Sequence, residues 1–284
     1  MAEPHTHNSA GLGARVVRGV AWSTVNAWGG NLLSLGIYLT MARLLTPEAF
    51  GVLAVGQALI RLLAILPEES FSKAVIQRET ITARQLNGVF WLTLGAGVVL
   101  VVPAVLVAGA AGRWFGDDRV AAVLPWLALS LPLSALSATQ AAWLARRMAF
   151  RSLALRTLCG TVAGGAVGIG LAASGYGVWA LVGQALTSSG VGAVALWASS
   201  SWRPGIGWSW SEVRGLTGFG SRTTALGVLR FAGQRADDLV IGLVLGTTAL
   251  GYYALAYGVL TRLTNMLTST ASAVALPTFS ALQR

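Results

Sequence analysis

Arg230, Gln234, Asp237 and Asp238 stand at i, i+4, i+7 and i+8, the spacing that sets side chains in one stripe along an α-helix. Arg222 and Arg235 share the same stretch, "SRTTALGVLRFAGQRADDLVIGLVLG", and Arg235 reaches Asp238 at i+3. The rest of that stretch is apolar. An Arg in mid-bilayer costs about 2.5–3.5 kcal/mol, and each Leu or Val returns only about 0.3–0.6 kcal/mol. Such a helix is a poor lipid-facing span, so its charges are expected to line a water-filled path or to pair internally and fix packing. Guanidinium groups in that setting suit a phosphate-bearing ligand. Arg61 and Arg262 lie nearer the ends of their own apolar runs, where snorkelling to the interface competes with the same role.

Other chemistries find no support in the sequence. His5 and His7 are the two histidines, both in the polar start "MAEPHTHNSAGLG", and Cys159 is the one cysteine. That excludes an internal disulfide and leaves no metal-ligand set and no acid/base or nucleophile constellation. No cofactor is expected. Cys159, within an apolar run, reads as a small buried hydrophobe. "GGAVGIG" lacks the preceding strand and the Lys of a nucleotide loop. Asp117 and Asp118 read as a solvated turn. The net charge of +10 suggests nucleic acid at first sight, but the basic residues lie between apolar runs and form no dense patch.

The elements that must hold these residues are membrane spans. The chain of 284 residues is 55% hydrophobic and 11% charged, against about 25% charged for a soluble domain. Runs of roughly 20 apolar residues are long enough to cross a bilayer as helices. Eight are expected, near 20–42, 49–66, 88–111, 120–144, 157–173, 177–199, 219–243 and 249–267. The first is too long for the apolar core of a cleaved leader. Thr46, Pro47 and Glu48 suit the start of the second helix. "ARRMAFRSLALR" reads as a helix lying on the membrane surface. Gly160, Gly164 and Gly168 put three glycines on one face and predict a close helix contact. Trp202, Trp208 and Trp210 mark an interfacial connector. Asn26, Asn31 and Gln57 either line a path or bond between helices.

Counting basic residues orients the bundle. Arg15, Arg18, Lys73, Arg78, Arg84, Arg146, Arg147, Arg151, Arg156, Arg203, Arg214 and Arg284 fall on the side of the N-terminus, and Arg43, Arg113 and Arg119 on the other. The positive-inside rule then predicts a cytoplasmic N-terminus.

The sequence also repeats. Leu45, Ala49, Gly51, Ala54 and Leu63 recur as Leu245, Ala249, Gly251, Ala254 and Leu263, all at an offset of 200 without a gap. Six spans separate the starts of the two copies, so both enter the membrane from the same side, the parallel repeat of two-lobed transporters. The expected organisation is a cytoplasmic segment at 1–19, a six-helix lobe at 20–199, a connector at 200–218, and the first two helices of a second lobe at 219–284. The fold class is all-α, a polytopic membrane bundle of about eight helices.

"MARLLTPEAFGVLAV", "AVIQRE", "RRMAFRSLA", "GYGVWALV", "DDLVIGLVLGTTALGYYALAY" and "LPTFSALQR" occur in that order. Together they resemble the polysaccharide-exporter family of lipid-linked oligosaccharide flippases, within the multidrug/oligosaccharidyl-lipid/polysaccharide superfamily, from about Gly19 to Arg284. The resemblance implies a MATE-like bundle in the bacterial cytoplasmic (inner) membrane. Its substrate would be an undecaprenyl-pyrophosphate-linked oligosaccharide, carried between leaflets by alternating access for lipopolysaccharide or exopolysaccharide synthesis. Arg222 and Arg230 are the best matches to the cavity arginines of such relatives, with Arg61 and Arg262 behind, and Asp238 falls on a recurrent position. Polymerases and glycosyltransferases of the same pathway are the partners it implies, and no coupling ion is specified. Relatives have two six-helix lobes, so eight helices imply a fragment or an assembly with another copy or partner. A cation-coupled drug exporter, a scaffold binding sugar-assembly enzymes through "ARRMAFRSLALR", and a membrane glycosyltransferase remain the alternatives.

Overall fold

The computed structural model describes residues 29–67, 81–147, 149–208 and 210–282, and within these it is all-helical. By packing, the chain divides into two compact units, Ile37–Ala256 on one hand and Met1–Gly36 with Tyr257–Arg284 on the other. The seam and the cavity described below lie in the first unit, and Arg262 lies in the other. His5, His7, Asn26, Lys73 and the motif "AVIQRE" lie outside the described residues.

Helix α1 covers 29–44, and after a break at 45–46 α2 runs Pro47–Pro67 with Glu48 in its first turn. Helices α3 (Ala83–Val99) and α4 (Val101–Phe115) form one long span, bent at Leu100. Pro103 causes the bend, because it has no N–H to offer the carbonyl of Val99. Helices α5 (Asp118–Ala128) and α6 (Ser130–Arg146) form the next span, and Pro132 bends it at Leu129 in the same way. There the Ser130 hydroxyl donates to the Leu127 carbonyl at 2.6 Å. Helices α7 (Phe150–Ala173) and α8 (Val178–Ser199) follow, joined by a turn in which Gly175 and Gly177 both take positive φ. The helical stretch Trp210–Leu282 is divided by Gly246, at φ 83° and ψ 173°, into α9 (210–245) and α10 (247–282).

Six helical stretches among the described residues are long and apolar enough to cross a membrane, the last being Ala236–Thr268. The protein is a polytopic helical membrane protein. One expectation fails. The stretch from Phe150 onward is not a separate surface helix but the first turns of α7, which continues unbroken to Ala173. Its arginines are helix-compatible and nothing between Arg151 and Gly160 stops the helix, so the apolar run behind them simply extends it.

The glycine stripe on α7 does allow close packing. A Cβ on Gly160 would stand 2.7 Å from the Ser188 carbonyl oxygen, one on Gly164 1.9 Å from Ser188 Oγ, and one on Gly168 2.9 Å from Gln184 Cβ. The connector 200–208 is fastened to the bundle by the Gln140 amide on the Trp202 carbonyl (3.3 Å), the Trp91 indole on Gly205 (3.0 Å), and the Arg203 guanidinium over the Trp197 ring (5.7 Å).

The repeat is visible as structure. At an offset of 200, the break at 45–46 falls on 245–246, where Gly246 interrupts the second copy. The two breaks meet. A Cβ on Gly51 would lie 1.8 Å from the Thr247 carbonyl oxygen, and one on Gly251 1.9 Å from that of Pro47. Gly51 and Gly251 are equivalent under the repeat, as are Pro47 and Thr247, so the contact is reciprocal. Around it pack Ala49, Val52, Val55, Val120 and Leu250, all buried.

Because the atoms facing Gly51 are main chain, they cannot rotate away. Gly51→Val is therefore expected to destabilise by about 1–3 kcal/mol or more. Gly95→Ala, on α3 with nothing within 4 Å, is expected to be neutral or stabilising by up to about 1 kcal/mol. Thermal unfolding of the two purified variants in one detergent checks the contrast.

Candidate functional site

The seam between the two breaks is closed by side chains from the link ahead of α5. Asp117 caps α5, accepting from the Arg119 amide at 3.0 Å. Its carboxylate also takes both arms of the Arg119 guanidinium, at 3.0 and 2.9 Å, and the Thr247 hydroxyl at 2.8 Å. Arg119 in turn stands 3.7 Å from Glu48. One link thus ties down the starts of both α2 and α10. Asp117 is not part of a solvated turn as its neighbours suggested, since its side chain is 11% exposed. Partial burial alone pushes its carboxyl up, but the hydrogen bonds from Arg119 and Thr247 outweigh that and hold it below the usual carboxylate range.

Away from the seam the helices line an open cavity of about 520 Å³, with polar side chains set among apolar ones such as Ile60, Leu131 and Phe231. Arg61 and Gln57 reach it from α2, Arg230 and Gln234 from α9, Ser130 and Ser134 from α6, and Ser189 from α8. Each Arg lies one helical turn from its Gln, so both pairs share a helix face. Among the described residues no Asp or Glu lines the cavity. Its polar atoms are donors and neutral acceptors, an arrangement suited to an anion bearing hydroxyl groups.

The expected stripe on α9 therefore divides. Arg230 and Gln234 line the cavity. Asp237 instead accepts from the Tyr253 hydroxyl on α10, and Asp238 is buried at 4% exposure; neither lines the cavity. The backbone of Arg222 and Arg235 belongs to α9, but their side chains lie outside the described residues. Arg262 belongs to the other unit, where its guanidinium donates to the Gly258 carbonyl at 2.9 Å. Cys159 is exposed on α7, not buried, because the glycine stripe and not the thiol faces α8. Ser130, Ser134 and Ser189 were missed. A serine in an apolar helix carries little signal alone, but Ser130 and Ser134 at i, i+4 on a proline-bent helix form a detectable pair.

Residues 40–284 match the polysaccharide biosynthesis protein family. The chain belongs to that family. Among curated proteins, it is 26% identical over 264 residues to the succinoglycan biosynthesis transport protein ExoT of Rhizobium meliloti, covering 93% of this chain and 53% of that protein. It is 23% identical to the lipopolysaccharide biosynthesis protein WzxC of Escherichia coli, over 96% of this chain and 56% of that protein. It is 20% identical to the teichuronic acid biosynthesis protein TuaB of Bacillus subtilis, over 94% and 56%. The chain spans about half the length of these relatives. No solved structure matches.

The Asp117 cluster of this family member gives a pH prediction. A carboxylate whose folded pKa is depressed stabilises the fold above its unfolded pKa of about 3.9, and that contribution is lost as pH falls through the lower folded value. Asp117→Ala is expected to cost about 1–2 kcal/mol at pH 7, from the lost cap and the lost bonds to Arg119 and Thr247. The gap between wild type and variant should narrow as pH drops below 4. Unfolding curves at a series of pH values measure it.

Proposed function

We propose that this family member forms the substrate cavity of a transporter that moves undecaprenyl-pyrophosphate-linked oligosaccharide across the bacterial cytoplasmic membrane, for lipopolysaccharide or exopolysaccharide synthesis. The N-terminus is cytoplasmic in this reading, the seam faces outward, and the cavity faces the cytoplasm. The observation that carries it is the pairing of Arg61 and Arg230, from the two copies of the repeat, on one cavity without a described acid in its lining. Two guanidinium groups match the oxygens of a diphosphate, and the neutral polar groups around them match sugar hydroxyls. Membership of the family, and relatives named for succinoglycan, lipopolysaccharide and teichuronic acid biosynthesis, support a glycan-bearing substrate. A cation-coupled drug exporter would want carboxylates in the cavity, which speaks against that alternative. Nothing in the described residues favours an enzyme, and polymerases or glycosyltransferases enter as partners only.

Arg61→Ala and Arg230→Ala are each expected to weaken binding of undecaprenyl diphosphate by about 10–100-fold, the loss of one charged hydrogen-bonding group. Lys at either position should restore part of it. Titration of purified protein in lipid nanodiscs gives the affinities. In cells, Arg230→Ala should leave glycolipid on the cytoplasmic leaflet. Unchanged affinity in both variants would count against the reading.

A further inference from the structure

The polar groups of the cavity lie at two depths. Helix α2 starts at Pro47, which meets Gly251, and α9 ends at the Gly246 break beside Thr247, which meets Gly51, so both ends lie at the seam. Depth from the seam therefore follows from residue number and the rise of an α-helix. Arg61 is about 21 Å from it and Arg230 about 24 Å. Gln57 is about 15 Å away and Gln234 about 18 Å. Ser130, counted from Asp118 beside the seam, comes at about 18 Å, and Ser134 on the same helix at about 24 Å. The helices run in opposite directions, yet both place Gln on the seam side and Arg on the far side. Gln57, Ser130 and Gln234, from three helices, thus form one level at about 15–18 Å, and the two guanidinium groups, with the Ser134 hydroxyl beside them, form another at about 21–24 Å.

We propose that the cavity reads its ligand in two tiers. Arg61 and Arg230 take the diphosphate, and Gln57, Ser130 and Gln234 take hydroxyl groups of the sugar next to it, so the headgroup enters sugar first. This rests on the transporter reading above. The chemistry of each tier fits its part. A diphosphate bears oxygens that accept only, and guanidinium groups donate only. A sugar hydroxyl both donates and accepts, as do a Gln amide and a Ser hydroxyl. Ser130 still has acceptor capacity after donating to Leu127. The order also suits a lipid. The diphosphate stays at the level nearer the cytoplasmic surface, where the lipid tail begins, while the sugar moves toward the seam. A site built to hydrogen-bond hydroxyls discriminates strongly against ligands that lack them. Gln57 and Gln234 are accordingly specificity-determining residues.

The test is equilibrium binding of two probes to the full chain in nanodiscs: undecaprenyl diphosphate, and the same lipid carrying a neutral disaccharide. Wild type should bind the glycosylated probe more tightly. Gln57→Ala and Gln234→Ala should each lower affinity for it about 2–10-fold, the range for one neutral hydrogen bond, and leave the bare lipid within twofold. Gln234→Met keeps the length of the side chain and removes its hydrogen-bonding groups without adding charge, and should give the same pattern. Arg61→Ala should weaken both probes. The two-tier arrangement is overturned if the Gln variants weaken both probes alike, or neither, or if wild type has no preference between them. If wild type binds neither probe, the transporter reading itself fails, and the inference with it.

Discussion

Everything in this bundle is measured from one contact in which main chain lies on main chain. Gly51 and Gly251 bring the starts of α2 and α10 together with no side chain between them. Packing of this kind is set by atoms that have no rotamers, so it admits one distance and little adjustment. The buried residues around it, Ala49, Val52, Val55 and Leu250, are small or rigid for the same reason. Polar clamps then fix what the glycines allow. Asp117 holds Thr247 and Arg119, and Arg119 approaches Glu48. The exposed half of that cluster adds little energy on its own. Its capped and buried half is what ties the α4–α5 link to the seam.

A fixed seam makes the cavity a matter of arithmetic. Helices pinned at one end present side chains at depths set by their rise, so Gln57 with Arg61, and Gln234 with Arg230, arrive in register although their helices are antiparallel. The prolines contribute on the other walls. Pro132 breaks the ladder at Ala128, and the bend there sets Ser130 toward the polar space. On the far wall, the glycine stripe on α7 keeps α8 close enough to deliver Ser189. Each polar group of the cavity is therefore carried by a helix whose placement has a named cause in glycine, proline or capping chemistry.

Much of this was legible in the sequence. Hydropathy gave the five spans from α2 to α8, the spacing of Gly160, Gly164 and Gly168 gave the α7–α8 contact, and the expected spans 219–243 and 249–267 bracket the break that the structure locates at Gly246. The failures share a cause. Sequence spacing tells which residues share a helix face but not which face meets a cavity. Arg230 and Asp237 share a stripe on paper, yet Tyr253 on the next helix draws the carboxylate away from the cavity that Arg230 lines. Asp117 looked solvated because its partner, Thr247, is 130 residues away. Cys159 looked buried because apolar runs bury one face against protein and leave another to lipid. The surface helix expected from "ARRMAFRSLALR" disappeared because helix ends in a membrane protein can extend past the hydrocarbon without any signal that separates them from a distinct element.

The reciprocity of the seam has a consequence of another kind. A contact in which Gly51 meets Thr247 while Gly251 meets Pro47 is isologous, the pattern by which two identical subunits meet about a two-fold axis. Here both halves lie on one polypeptide. A shorter protein with only the first copy would expose a patch already complementary to itself, and pairing two such proteins would rebuild the same junction. In the fused chain that restraint persists as a genetic one. Bulk gained at either glycine must be absorbed by the backbone of the other copy, so the two halves are not free to drift apart at this point even where their remaining sequences have.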